Sequence, residues 1–161
     1  MSAAIKHYKG IEVTACATRE ETTAAIIDKI AALNSIRVSE EKLNAEVELM
    51  KLELRHRLQY EQMATGIADY SGKDLTEQFA SLRTEAERQL KADAVIEGVI
   101  AAEQFAVTQE ELEAEAAAMA KRKNIPVEMV KGFFGPSLSP IKKDLLRAKA
   151  LAFVYDNAVI H

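Results

Sequence analysis

Apolar residues along this chain recur at helical spacing over most of its length, and the most informative stretch begins at Ser39. With each residue advanced by 100°, Leu43, Val47, Met50, Leu54 and Leu58 form one stripe. Ala45, Leu49, Leu52, Tyr60 and Met63 form a second on nearly the opposite side. Polar residues separate them: Asn44, Glu48, Lys51, Arg55 and Gln59 on one flank, Lys42, Glu46, Glu53 and Arg57 on the other. A surface helix needs a single apolar stripe to hold it to its core. Two opposed stripes require something on each side. Either a second neighbouring helix covers the outer stripe, or that stripe lines an open groove for another polypeptide.

The remaining pattern divides at its breakers. Gly10 stands alone, Gly66 and Gly72 bracket a break around Ala68–Ser71, and Gly132, Gly135, Pro136 and Pro140 mark another. Residues 8–16 are β-prone and extended with no obvious partner strand, which predicts an arm lying along the body. Thr18 with Glu21 reads as a capping box that opens a helix to about Leu33. Ser39 is a good N-cap for the striped helix, which runs to about Met63, a length of roughly 36 Å. Another helix is expected from near Asp74, supported by Glu77, to about Gln104, with Gly98 inside it as a possible kink or close contact. Thr108 and Glu111 form a second capping box, and Val107 and Leu112 occupy the hydrophobic-staple positions. That helix reaches Lys123, and the short link Phe105–Val107 implies an antiparallel hairpin with its predecessor. A brief helix over Val127–Phe133 follows. A last one, with Ser139 as N-cap and Pro140 at its first position, ends near Asn157. The fold class is all-α, with long helices, short links and a short extended N-terminal segment.

Composition sharpens this. Nearly half of the 161 residues are apolar and 29% are charged, so a folded core is affordable and disorder is not indicated. The net charge of −4 argues against nucleic acid, because phosphate binding needs a basic surface. The one basic cluster, Lys121-Arg122-Lys123, closes a helix, where it complements the helix dipole. A single cysteine, Cys16, excludes an internal disulfide and suits a reducing compartment. It reads as a small apolar residue, since no histidine is near. Residues 1–10 lack a secretory hydrophobic core and no run reaches transmembrane length, so a cytoplasmic protein without membrane contact is expected.

Candidate chemistry is sparse. His7, His56 and His161 are far apart, and His56 falls on the second stripe, where a partly buried helix residue is expected. Glu53 and His56 have Glu-x-x-His spacing once, whereas a di-iron bundle repeats it. Glu110, Glu111, Glu113 and Glu115 read as a helix start and a solvated face. No phosphate-cradling glycine loop is present. These patterns imply no catalytic residue, no metal and no cofactor. What does stand out is apolar and adaptable. Met50, Met63, Met119 and Met129 either fill a core or reshape around partners. Phe133, Phe134 and Leu138 sit in a Gly/Pro-rich loop region, where burial is harder.

From Val38 to Ile160 the chain resembles the C-terminal, substrate-binding domain of the bacterial chaperone trigger factor. The resemblance is carried by Val107-Thr108-Gln109-Glu110-Glu111-Leu112-Glu113-Ala114-Glu115 followed by Met119-Ala120. It continues through Pro126-Val127-Glu128-Met129-Val130-Lys131, Phe134-Gly135 and Asp144–Phe153, with Asp156-Asn157-Ala158 after it. Leu82–Lys91 is similar to the helix leading into the family's first arm, and Tyr8–Val13 to its extended linker. The family's Gly-Phe-Arg ribosome-docking loop has no counterpart here, and its isomerase domain is missing. Ribosome binding and prolyl isomerisation are therefore not carried over.

The resemblance implies one helical domain over residues 1–161, elongated, with an extended arm at 1–17 and two protruding helical arms, 84–123 and 126–153, around a cradle. It implies a holdase-type chaperone for non-native polypeptides, with client contacts on Leu49, Leu52, Tyr60, Met63, Met119, Met129, Phe133, Phe134 and Leu138. The alternative is a dedicated interaction module for one folded partner, or a homodimer.

Overall fold

The computed structural model describes residues 4–65 and 73–161. In chain order these form β1 (Glu12–Val13), α1 (Arg19–Leu33), α2 (Glu40–Thr65), α3 (Lys73–Glu103), α4 (Gln109–Lys123), α5 (Val127–Phe134), α6 (Ser139–Asp156) and β2 (Val159–Ile160). The expected all-α class holds, with one two-stranded ladder added. The break expected between Gly66 and Gly72 lies outside the described residues, as do the side chains of Asp74 and Glu77.

Local chemistry accounts for the helix starts. Thr18 Oγ1 accepts the Glu21 N–H at 3.1 Å, and the Glu21 carboxylate accepts the Thr18 N–H at 3.3 Å. Thr108 and Glu111 repeat this reciprocal box at 3.2 and 2.8 Å. Ser39 Oγ accepts the Lys42 N–H at 3.3 Å and opens α2. The start of α6 differs from expectation. Its N-cap is Leu138, in the left-handed region at φ 51°, and Ser139 is already helical. The Leu138 carbonyl accepts the Lys142 N–H, while the Ser139 hydroxyl turns to Ser137. An apolar anchor, and not a hydroxyl, sets the entry of this helix.

The chain divides into two compact units, Met1–Asn34 with Val95–His161 and Ser35–Ala94. In the first, α1 packs on α6 and on β1, and α4 packs on α5 and α6. Ile26, Ile30, Val95, Val99 and Val154 are fully buried. A second cluster joins Leu112, Ala116 and Ala120 of α4 to Val130, Leu138 and Ile141. The arm expected at residues 8–16 does have a partner strand. β1 pairs in parallel with β2, Glu12 opposite Val159 and Val13 opposite Ile160. Flanking bonds from Gly10 to the Asn157 carbonyl and from Ala15 to the His161 carbonyl, each 2.9 Å, extend the ladder. Gly10 has φ +64°, a conformation that glycine adopts without strain.

Polar stitches hold the rest of this N-terminal segment. The Asn34 amide accepts the Lys6 N–H and donates to the His7 carbonyl, both at 2.9 Å. Lys29 Nζ donates to the Glu12 carbonyl at 2.6 Å. Glu103, at the end of α3, accepts the Tyr8 hydroxyl at 2.7 Å and pairs with Lys9 at 2.8 Å. The Lys9 ammonium also lies 5.4 Å from both the Tyr8 and Phe153 ring centres. Beneath these contacts Ile5, Ile11 and Val13 are buried.

In the second unit α2 meets the N-terminal half of α3. The Arg83 guanidinium reaches the Glu40 carboxylate at 2.7 Å and Asn44 Oδ1 at 3.1 Å. Further along α2, Lys51 and Arg55 lie over the Phe79 ring. Partners on α3 fall in number as those on α2 rise, so the two helices run antiparallel. Leu43 and Leu54 of α2 and Ala86 of α3 are buried.

Two predictions follow from this architecture. Ile30→Ala opens a cavity beneath α1 and lowers stability by about 2–5 kcal/mol, read from the urea unfolding midpoint. Lys9 and Tyr8 hold the Glu103 carboxyl below its ordinary pKa by direct hydrogen bonds. Stability from a depressed carboxylate is present above its unfolded pKa and is lost as pH falls through the folded value. The same bond raises the Lys9 pKa, so its share is present below the ordinary lysine value and is lost as pH rises through the raised one. Glu103→Gln therefore lowers the thermal midpoint at neutral pH and shallows its acid decline. An unchanged acid limb would refute the assignment.

Candidate functional site

The inner stripe of α2 is spent on the fold: Leu43 and Leu54 are buried and Val47, Met50 and Leu58 are partly so. The outer stripe is open. Leu49 and Leu52 are 49% and 47% exposed, and Tyr60 and Met63 reach 75% and 86%. His56, expected to be partly buried, is exposed between them. The outer face simply has no covering element at that position among the described residues.

Charged residues frame this face. Glu48 pairs with Lys51 at 2.8 Å, and that bond holds the Glu48 carboxyl below its ordinary pKa. Glu53, Arg55 and Arg57 are exposed along the edges. The face is thus an apolar strip bordered by mixed charge.

A second apolar surface lies on α5, within the other unit. Pro126 precedes the helix in extended conformation, and Gly135, at φ 82°, ends it. Val130 is the buried anchor, packed into the α4–α6 cluster. That leaves Met129 and Phe133, one turn apart, on the outer side at 59% and 86% exposed. The Phe133 ring stands edge-on to Phe134, with centroids 5.4 Å apart.

The structure separates the expected contact residues into groups. Leu49, Leu52, Tyr60 and Met63 share the outer face of α2, and Met129 and Phe133 share α5. Met119 and Phe134 are partly buried against the α4–α6 cluster. Leu138 differs from the expectation: at 1% exposure it is a core residue and offers no surface to a client. Its place after Gly135 and Pro136 suggested a loop position, but its side chain turns inward and anchors the α6 entry. Leu33 and Val159 are exposed apolar residues that sequence reading missed. Val159 had a readable signal, the β-branched pair Val159-Ile160 beyond the last helix. Cys16, expected as a small apolar residue, is exposed and its N–H donates to Thr22 Oγ1.

The described residues contain no cluster of three or more His, Cys, Asp or Glu side chains able to hold a metal ion. They also contain no helix long and apolar enough to cross a membrane. Contiguous exposed apolar patches mark surfaces that meet another protein, a ligand or a membrane.

Residues 12–156 match the family described as bacterial trigger factor protein (TF) C-terminus, and the chain belongs to that family. Trigger factor from Bacillus cereus (strain B4264) is 29% identical over 134 residues, covering 83% of this chain and 31% of that protein. Trigger factor from Bacillus subtilis (strain 168) is 32% identical over 123 residues, covering 76% and 29%. The chain thus spans about a third of the length of the curated relatives it matches. A solved structure of trigger factor domains from Thermotoga maritima superposes with a TM-score of 0.66. It covers 95% of this chain and 93% of that one at 20% identity, a likeness of fold.

Exposure of these side chains has a measurable consequence. Tyr60→Ser with Met63→Ser, and separately Phe133→Ser, reduce binding of a hydrophobic fluorescent dye to the native protein. Each leaves unfolding stability within about 0.5 kcal/mol. Loss of stability without loss of dye would show that the side chains are packed.

Proposed function

We propose that this chain is a holdase-type chaperone that binds exposed apolar segments of non-native polypeptides. The observation that carries this reading is the division of α2. One stripe is consumed by the fold, and the opposite stripe, from Leu49 to Met63, is left to solvent. Membership of the trigger factor family supports the same reading.

The client contacts would be Leu49, Leu52, Tyr60 and Met63 on α2 and Met129 and Phe133 on α5. Their chemistry requires no nucleotide, metal or bond-making step. Burying one such side chain against a client yields about 1.5–3 kcal/mol. Ordering the client chain offsets much of that, so each contact is weak and tolerant of sequence. Methionine and the unbranched reach of its thioether suit a surface that must fit unrelated segments. By holding such segments the protein lowers the free concentration of species that aggregate. No part of this action is catalytic, and it belongs in the cytoplasm, where unfolded chains emerge.

Light scattering of several unrelated, chemically unfolded clients tests the proposal. The protein suppresses aggregation of all of them without nucleotide. A variant carrying Leu49→Ser, Leu52→Ser, Tyr60→Ser and Met63→Ser loses at least half of that protection. Protection of one client alone, at fixed stoichiometry, would favour a dedicated partner, and failure with every client would overturn the chaperone reading.

A further inference from the structure

The chain is acidic, but its charge is unevenly placed. Residues 121–147, from the end of α4 to the middle of α6, hold seven basic side chains and two acidic ones, against 21 and 25 in the whole sequence. The rest of the chain is therefore more acidic than its net charge of −4 suggests. Packing gathers this segment at one end of the α4–α6 cluster. Ala120, next to Lys121, shares that buried cluster with Val130 of α5 and with Ile141, next to Lys142.

Two of the cations are used within the fold. Arg122 reaches Glu115 at 2.8 Å, and Lys131 reaches Glu113 at 2.7 Å. Lys121, Lys123, Lys142 and Lys143 are exposed and make no ion pair among the described residues. The dipole of α4 accounts for the first two, because cations are favoured at a helix C-terminus. It does not account for the second two. α1, α2, α4 and α5 each carry acid in the first turn. α6 carries none there, and Lys142 and Lys143 follow directly on Ile141, near the end where the dipole disfavours cations. Their placement works against the local electrostatics of the helix.

The open side of α5 lies at the same end. Lys131 turns towards α4, and at 100° per residue Met129 and Phe133 both stand about 160° away from it. This end of the unit thus presents two largely bare apolar side chains and four unengaged ammonium groups.

We propose that the α5 surface takes client segments in which apolar residues are flanked by aspartate or glutamate. Met129 and Phe133 bury the apolar residues, and Lys121, Lys123, Lys142 and Lys143 meet the carboxylates. This names a client class for one of the two exposed surfaces, and it rests on the client reading above. Two other polyanions fit less well. A nucleic acid or an anionic bilayer extends past the basic end and meets the acidic excess of the remaining chain, at a repulsive cost. A short acidic segment does not. The lysines contribute selectivity and encounter rate more than affinity. The outer stripe of α2, bordered by both signs of charge, carries no such bias.

Fluorescence anisotropy on the full chain tests it, using labelled peptides that share a Phe-Leu-Phe core and are flanked by Asp, by Lys or by Ser. The Asp-flanked peptide binds at least about tenfold more tightly than the Lys-flanked one, and the gap narrows with salt. Lys142→Glu with Lys143→Glu, a change that suits the α6 dipole, removes or reverses that preference while circular dichroism stays helical. Lys121→Gln with Lys123→Gln reduces it. Phe133→Ser weakens the Asp-flanked peptide by about tenfold. Equal affinity for the three peptides, or a preference for the Lys-flanked one, overturns the proposal. So does a preference that survives both lysine changes. Failure to bind the Asp-flanked peptide overturns it too, including where phosphatidylglycerol vesicles or an oligouridine bind instead. In each case the chaperone reading stands if unfolded clients are still protected from aggregation, and falls only if they are not.

Discussion

A helix held to its neighbour along one side must present its other side to water, and α2 carries leucines on both. That constraint governs the rest of the molecule's surface chemistry. Leu43 and Leu54 are consumed by packing within their unit, where Arg83 ties α3 to Glu40 and Asn44. Among the described residues Leu49 and Leu52 stay half exposed and Tyr60 and Met63 largely so. Exposed apolar area on this scale forgoes about 25 cal/mol for each Å² left in water. Packing within the fold gives no reason to leave it in water; the proposed binding of apolar segments would.

The other unit solves a different problem. Its N-terminal segment is extended, and its backbone groups need partners that a helix would supply internally. They find them in β2, in the Asn34 amide and in Lys29. Glu103 then fastens Tyr8 and Lys9 over Phe153. Beside it, α4, α5 and α6 close over Val130, Leu138 and Ile141. Lys149 draws Glu111 and the Ala106 carbonyl together at 2.7 Å each, and Lys131 bridges to Glu113. These exposed ion pairs are individually worth little. Glu111, however, also completes the α4 capping box, so one carboxylate serves both the helix start and the α4–α6 contact.

What could be read from the sequence follows this same split between local and non-local causes. Thr18, Ser39 and Thr108 announce their helices because a cap is a contact over three residues, and the structure places all three as caps. The stripes of α2 were legible because helical periodicity needs no tertiary knowledge. Which stripe was buried was not, since that depends on α3, some forty residues away. The pairing of β1 with β2 joins the two ends of the chain, and nothing near Glu12 foretells Val159. Leu138 misled for a related reason: a Gly/Pro-rich neighbourhood signals a turn, but not the direction of a side chain within it. Of the expected contact residues, the α2 set was recognisable by period. Phe133 and Phe134 were adjacent in sequence, and only packing decides which of the two faces out.

Exposure along the outer face of α2 is graded, and the gradient has a cause. Around Leu49 and Leu52 the flanking positions are held by Glu48, Glu53, Arg55 and Arg57, all exposed, and long charged side chains of this kind can lay their aliphatic stems along apolar neighbours. Beyond Arg57 the flanking positions are Gln59 and Ala64, and Tyr60 and Met63 stand nearly bare. The charge-framed middle favours a partner in one orientation, because mismatched charges across it are penalised. The bare C-terminal end imposes no such condition, since apolar burial is non-directional. Under the proposed reading, the charge-framed middle would orient a bound segment while the bare end would accept many.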